Sequence, residues 1–217
     1  SGETVTAASG LVDLHVHTTA SDGSLSPREV VRAAREAGVV TLAVTDHDTV
    51  AGLPEAIQAA KDDSLDLLTG LEISVDWPGT TMHILAYGFR PDDPALLRTL
   101  ERFRDFRRDR NVRLLARLAE LGMPLEWDAV AAHAGGETVS RMHVARAMVD
   151  AGYVASSEAA FRRWLARGSP GYVERQRATP QEAIAIIRNA GGLAVLAHPR
   201  QMQRPFAEIR AIVEQLV

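Results

Sequence analysis

The chain opens on a strict alternation. In residues 11–17, Leu14 and Val16 interleave with Asp13, His15 and His17. Side chains two apart share one face of a β-strand, so the two histidines and Asp13 point one way and the aliphatic pair the other. A small polar loop carrying Asp22 then runs to Gly23. Ser26-Pro27-Arg28-Glu29 spells a capping box with proline at the first helical position, and Val30, Val31, Ala34 and Ala37 continue a helical face to Gly38. The β-branched run 39–44 predicts a second strand, ending in Thr45-Asp46-His47-Asp48, and Gly52-Leu53-Pro54 opens a second helix through Lys61. Residues 65–75 predict a third strand with Gly70 near its middle and Glu72 upon it. Residues 80–88 predict a fourth carrying His83, and the Trp77-Pro78-Gly79 turn between them predicts a hairpin.

The periodicity changes at Pro91-Asp92-Asp93-Pro94, where a long helix opens and runs to Leu121 before Gly122. Helical spacing without strand signals continues over 126–134, 140–151 and 158–167. Thr179-Pro180-Gln181-Glu182 then repeats the capping box, Gly191-Gly192 closes that helix, and 193–197 reads as a buried strand running into His198-Pro199. Residues 205–217 predict a last amphipathic helix with Phe206, Ile209, Ile212, Val213 and Leu216 on one face. The pattern divides the chain into a first βα part at 10–92, a helical insert at 93–179 and a βα return segment at 180–217.

The chain has 217 residues, 46% of them hydrophobic, which suffices for a sizeable core. A net charge of -4 and a pI of about 6.0 argue against a protein that coats nucleic acid, and no DNA duplex is expected as partner. The absence of cysteine excludes disulfides and thiolate metal sites, so any metal is held by nitrogen and oxygen. No apolar run of membrane-spanning length occurs, and a cytoplasmic location without membrane contact is the expectation. Ser1-Gly2 reads as a tag-cleavage scar.

These ligand types are delivered by successive strands: His15, His17 and Asp22 around the first, Asp46 and His47 after the second, Glu72 on the third, His83 on the fourth and His198 after the last. Functional groups in α/β folds gather where strands end, so separate stretches of chain converge on one mouth. Imidazoles mixed with carboxylates suit Mn, Zn or Fe(II), with Mg less favoured. The set exceeds one ion's needs, which points to two or three divalent ions and to hydrolysis of a phosphate ester.

The strings DLHVHTTASDG, VTDHDTVAG, GLEIS, HILAYG and VLAHP resemble successive motifs of the polymerase and histidinol phosphatase (PHP) superfamily. The resemblance implies an α/β fold, a distorted (β/α)7-type barrel with a helical insert, around a trinuclear metal centre. By the same resemblance one ion is held by His15, His17 and Glu72, a second by Asp22 and His47, and a third by Glu72, His83 and His198, with Asp22, His47, Glu72 and His198 counted as catalytic. The superfamily pattern closes on a strand reading Gly-Ser-Asp-x-His. The residues after His198 contain no such pair, so the last strands of the barrel are expected to be absent and the first two ions to have one protein ligand fewer.

Residues 102–117 contain seven arginines against two aspartates, and Arg104, Arg107, Arg110 and Asn111 fall three or four apart on one helical face. Guanidinium groups grip phosphate in bidentate fashion. Ser140-Arg141-Met142-His143 at a helix start adds a second anion-binding candidate. The resemblance makes Arg107, Arg110, Arg141 and His143 substrate contacts, with Arg175 and Arg177 weaker candidates; His133, on an alanine-rich helix, reads as structural or surface. The spacing is most similar to the stand-alone subgroup acting on nucleoside 3',5'-bisphosphates and the 5' end of short RNA. The expected activity is therefore phosphate-ester hydrolysis by a metal-activated hydroxide. The alternatives are a phosphatase for another small monoester, such as histidinol phosphate, and a catalytically degenerate binding module.

Overall fold

The computed structural model describes residues 10–78, 80–136 and 138–216; Ser1-Gly2, Gly79 of the expected turn and Val217 at the end of the last expected helix lie outside them. Its sheet has five strands in the order β1 (Leu11–Val16), β2 (Val39–Val44), β3 (Asp66–Trp77), β4 (Thr80–Tyr87) and β5 (Leu193–Leu196). The first three are parallel, joined by α1 (Pro27–Glu36) and α2 (Leu53–Asp62), whereas β4 runs antiparallel to both β3 and β5. The fold is α/β, and among the described residues the sheet is open. It curls enough that the Tyr87 hydroxyl on β4 donates to the Leu14 carbonyl on β1 at 2.7 Å.

The start signals act as the sequence spells them. Ser26 accepts from the Glu29 amide while the Glu29 carboxylate accepts from the Ser26 amide, and Thr179 with Glu182 repeats the device at α7 (Pro180–Asn189). Such a cap is worth about 1 kcal/mol. α1 ends at Ala37 with Gly38 at φ +82°, a conformation that suits glycine because it has no Cβ.

Gly70 has a different task. β3 pairs with β2 only through Thr69, and from Gly70 onward its pairing is with β4. A Cβ at Gly70 would lie 2.4 Å from the Val44 carbonyl oxygen and 2.8 Å from Thr45 Cγ2. The two strands can come this close at the point where pairing changes sides only because no side chain intervenes.

The helix α3 (Pro94–Glu120) has 27 residues and so extends about 40 Å. Its buried stripe begins with Leu96, Leu100 and Phe103 in the core of the sheet and ends with Leu114, Leu115 and Leu118 in a second core. The second core is shared with α5 (Arg141–Asp150) through Val144 and Met148 and with the short α4 (Trp127–Ala131) through Val130. Between the two apolar stretches the same stripe holds Arg107, Arg110 and Asn111, all buried.

The structure corrects several local expectations. The helix expected over 126–134 shrinks to five residues. That expected over 158–167 is α6 (Ser157–Ala160) followed by a π turn, Phe161–Leu165, in which the Ala166 amide reaches back five residues to the Phe161 carbonyl. β5 is not buried: as an edge strand it leaves Leu193 67% exposed. In α8 (Phe206–Leu216) Ile209 and Ile212 are packed, whereas Phe206, one turn before that stripe, is 80% exposed and Val213 stays partly exposed.

Gly70→Ala is expected to lower the unfolding free energy by about 1–3 kcal/mol, because the new methyl overlaps backbone that cannot move without separating β2 from β3. A urea unfolding midpoint equal to that of the unaltered protein would remove this account of Gly70.

Candidate metal centre and arginine cluster

Glu72 lies at the middle of β3, at the level where β2 has already ended. Its amide donates to the Asp46 carbonyl at 3.2 Å and its carbonyl accepts from the Asp48 amide at 3.0 Å, so the turn after β2 is stitched alongside it. This register puts the Glu72 carboxylate among five imidazoles: His15 Nε2 at 3.0 Å, His17 Nε2 at 3.0 Å, His47 Nδ1 at 3.4 Å, His83 Nδ1 at 2.7 Å and His198 Nε2 at 2.8 Å. The ring centroids of His17 and His47 are 4.5 Å apart, and those of His15 and His198, from the two ends of the sheet, 5.6 Å. Asp22 stands at the side, 3.6 Å from His17 and 3.8 Å from His47. All seven residues expected as metal ligands therefore share one mouth. His198 holds the unusual backbone angle φ +26°, which places its ring there directly after β5.

The electrostatics follow from that crowding. Burial raises the Glu72 carboxyl, but the hydrogen bonds from His15, His17, His198 and His83 hold it far below the usual carboxylate range. Burial lowers His47 strongly and lowers His83, favouring neutral imidazoles; burial also lowers His17, but Glu72 and Asp22 outweigh it and leave it raised. Two groups, His15 with Glu72 and His198, and His17 with His47 and Glu72, have donor atoms within 4.8 Å of one another, close enough to share an ion. His47 Nδ1 is buried and forms no hydrogen bond, which fits a ligand position. Nitrogen and oxygen donors with one carboxylate common to both groups suit divalent ions.

Asp46 serves another purpose. It accepts from the Thr18 amide at 2.8 Å, the Thr18 hydroxyl at 2.7 Å and the Ser21 hydroxyl at 2.5 Å, and so pins the loop that carries Asp22. The insert holds that loop from the other side: Arg146 donates to the Asp22 carbonyl, and the backbone at Gly135 approaches Thr19 so closely that a Cβ would meet its side chain at 2.4 Å.

Beside the histidines a cavity of about 110 Å³ has His47, His83 and Asp22 on one wall and Arg107, Arg110, Arg141, Arg175 and Arg177 around the rest. Arg107 and Arg175 pair with Asp48, and Arg177 with Glu174 at 2.5 Å. Among the described residues Arg110 and Arg141 form no ion pair. Arg110 is 3% exposed with its Nε unpartnered, and burial together with Arg141, Arg175 and Arg107 pushes its guanidinium well below its ordinary value. Arg141 donates to the Leu165 carbonyl and lies over the rings of Phe161 and Tyr172, at 5.7 and 5.6 Å. Arg175, the weaker candidate from sequence, is lowered to about 9 by burial and by Arg107. His133 pairs with Asp150 on α5.

His143 is buried, and its Nδ1 accepts from the Ser140 amide at 3.1 Å, completing the cap of α5. The histidine here takes the place that glutamate holds in the α1 and α7 boxes, and its Nε2 is left as the protonated nitrogen. Asp48 and Glu174 escaped the sequence reading. The partners of Asp48, Arg107 and Arg175, lie 59 and 127 residues away and leave no local signal, whereas Glu174 pairs with Arg177 three residues on.

The PHP domain model matches residues 13–117, the segment holding six of those seven residues. The chain is 40% identical over 201 residues to a 5'-3' exoribonuclease of Haemophilus influenzae, covering 93% of this chain and 73% of that protein. The chain belongs to the PHP family. It is also 38% identical over 207 residues to a 3',5'-nucleoside bisphosphate phosphatase of Chromobacterium violaceum, covering 95% of this chain and 71% of that protein. Among solved structures, a Chromobacterium violaceum amidohydrolase with bound sulfate and no metal superposes with a TM-score of 0.89 at 37% identity, over 94% of this chain and 72% of that one. The described residues of this PHP-family chain include no helix long and apolar enough to cross a membrane.

The His143 side chain is predicted to stay neutral well below the ordinary histidine range, because burial and Arg146 lower it to about 4. A folded value below the unfolded 6.5 means that its contribution to stability is complete above pH 6.5 and is lost progressively as pH falls toward 4. Nitrogen-detected NMR of the imidazole should show a neutral Nε2–H tautomer from pH 8 to 5; an imidazolium at pH 6 would contradict the cap geometry.

Proposed function

We propose that this chain is a metal-dependent phosphoesterase acting on a small substrate with two phosphate groups, of the kind found in a nucleoside 3',5'-bisphosphate or at the 5' end of a short RNA. One observation carries the reading: the cavity that has His47 and His83 on one wall has five arginines on the others, two of which form no ion pair among the described residues. The names of the Haemophilus and Chromobacterium relatives agree with it, as does the sulfate bound in the Chromobacterium structure.

In this reading His15, His17, Asp22, His47, Glu72, His83 and His198 are the ligands of two or three divalent ions, with Mn, Zn or Fe(II) suited to the imidazole-rich set and Mg less so. Ions held there supply Lewis acidity and activate water for attack on phosphorus. The residues of the chain do the rest. Glu72 presents its two oxygens to different histidines, Oε1 to His83 and His198 and Oε2 to His15 and His17, so that one carboxylate would serve both donor groups. Arg110 and Arg141 grip the phosphate that does not react, and burial gives their contacts strength that water would screen. His143 contributes a neutral N–H donor and no proton transfer near pH 7, since its value of about 4 lies far from that range. The division at 93 and 179 fits this scheme, with the insert supplying Arg107, Arg110 and Arg141 to a site built on the βα part.

Replacing Glu72 with glutamine is expected to lose more than one equivalent of bound metal, because one carboxylate serves both donor groups. Metal analysis showing loss of a single equivalent would count against a bridge. Arg110→Ala or Arg141→Ala should raise KM for a nucleoside 3',5'-bisphosphate far more than for an aryl phosphate. A well-desolvated charged contact is worth about 1.5–3 kcal/mol, or roughly tenfold to a hundredfold in affinity. Equal increases for both substrates would reassign these arginines to the reacting phosphate or to stability.

A further inference from the structure

Asp48 follows His47 directly, is 1% exposed and holds the left-handed backbone angle φ +53°. That angle is uncommon for a residue with a side chain, and here it is enforced from both sides. The Asp48 amide donates to the Glu72 carbonyl at 3.0 Å, and Oδ1 accepts from the Ser74 amide at 3.0 Å, so the residue is locked to the strand bearing the central carboxylate. Its other oxygen, Oδ2, accepts from Arg107 Nε at 2.8 Å and Nη2 at 2.6 Å, and from both terminal nitrogens of Arg175 at 3.3 Å. Arg107 comes from α3 and Arg175 from the segment entering α7. Arg107 is held a second time by the Ser74 hydroxyl, at 3.3 Å.

One carboxylate oxygen thus fixes two guanidinium groups that would otherwise repel each other and the neighbouring Arg110 and Arg141. We propose that Asp48 is a positioning residue that sets the separation between the arginine cluster and the histidine cluster, and thereby selects substrates whose two phosphates match that separation. The inference rests on the two-phosphate reading above. Asp48 touches neither the reacting atoms nor, with its carboxylate, any of the seven ligand residues; it acts through Arg107 and Arg175. With its charge removed, Arg107 and Arg175 lose their common anchor and are free to turn toward the phosphates, and the spacing is no longer enforced.

The test compares Asp48→Asn, Arg107→Ala and the double variant on a nucleoside 3',5'-bisphosphate and on an aryl phosphate, with metal content measured for each. Asp48→Asn should lower kcat/KM for the bisphosphate tenfold to a hundredfold, chiefly through KM, against a loss of a few-fold for the aryl phosphate. The double variant should be no worse on the bisphosphate than the poorer single variant, because both changes break one linkage. Equal losses on the two substrates, or losses that multiply in the double variant, would overturn the proposal. If Asp48→Asn does not fold, Ser74→Ala removes only the second anchor of Arg107 and should raise the bisphosphate KM a few-fold; an unaltered KM would overturn it equally. Arg110→Ala separates the two ideas. If it penalises both substrates alike, the two-phosphate reading falls and this proposal with it; if it discriminates while Asp48→Asn does not, the role of Asp48 alone is refuted.

Discussion

A single buried carboxylate, that of Glu72, holds the arrangement together. An ionised carboxylate out of water is unfavourable unless hydrogen bonds and opposite charge surround it. Here the surroundings come from β1, the turn after β2, β4 and the second residue past β5, each contributing histidine. The elements of the βα part must therefore meet at one point, and the local oddities serve that meeting. Gly70 lets β3 leave β2 at close quarters two residues before Glu72, the turn after β2 is bound to the Glu72 backbone, and His198 takes a strained backbone angle just past the end of β5.

The complementary constraint is positive. Five arginines around a small cavity repel one another, and burying them forgoes hydration that an apolar helix face would not have needed. α3 shows how the chain tolerates this. Its stripe is apolar at both ends, anchored in two separate cores, and only the two turns between carry guanidinium groups. The cores hold the helix in place, so the arginines need not stabilise it. Asp48 and Glu174 neutralise part of the cluster, and the remaining charge is left for an anion, which is the preorganised polarity a phosphate site requires. Such a site trades stability for binding, in the usual manner of functional clusters.

The insert and the βα part are joined by specific polar contacts as well as by α3. Arg146 holds the loop bearing Asp22, and the Asp76 amide donates to the Ala178 carbonyl at 2.8 Å. The loop between α4 and α5 can lie on the Thr19–Ala20 backbone because Gly135 presents no side chain there. The loop bearing Asp22 and the arginines are thus referenced to each other.

Much of this was legible in the order of residues. Period-two alternation placed His15 and His17 on one face, capping boxes set the starts of α1 and α7, and the seven residues clustered at Glu72 stood out because their types recur after successive strands. Helical spacing also brought Arg107, Arg110 and Asn111 onto one side of α3. Local patterns determine such features, since they depend on neighbours within about one turn or one strand. The sequence did not reveal that β5 is an exposed edge, that Phe161–Leu165 forms a π turn, that His143 closes a cap in place of a glutamate, or that Asp46 pins a loop while Asp48 anchors two arginines. The edge position of β5 and the roles of the two aspartates depend on which distant groups share a buried volume, while the π turn and the His143 cap are local choices among several that the sequence pattern allows. Two aspartates flanking one histidine are alike in sequence; only the folded chain, by placing Thr18 and Ser21 against one and Arg107 and Arg175 against the other, gives them different work.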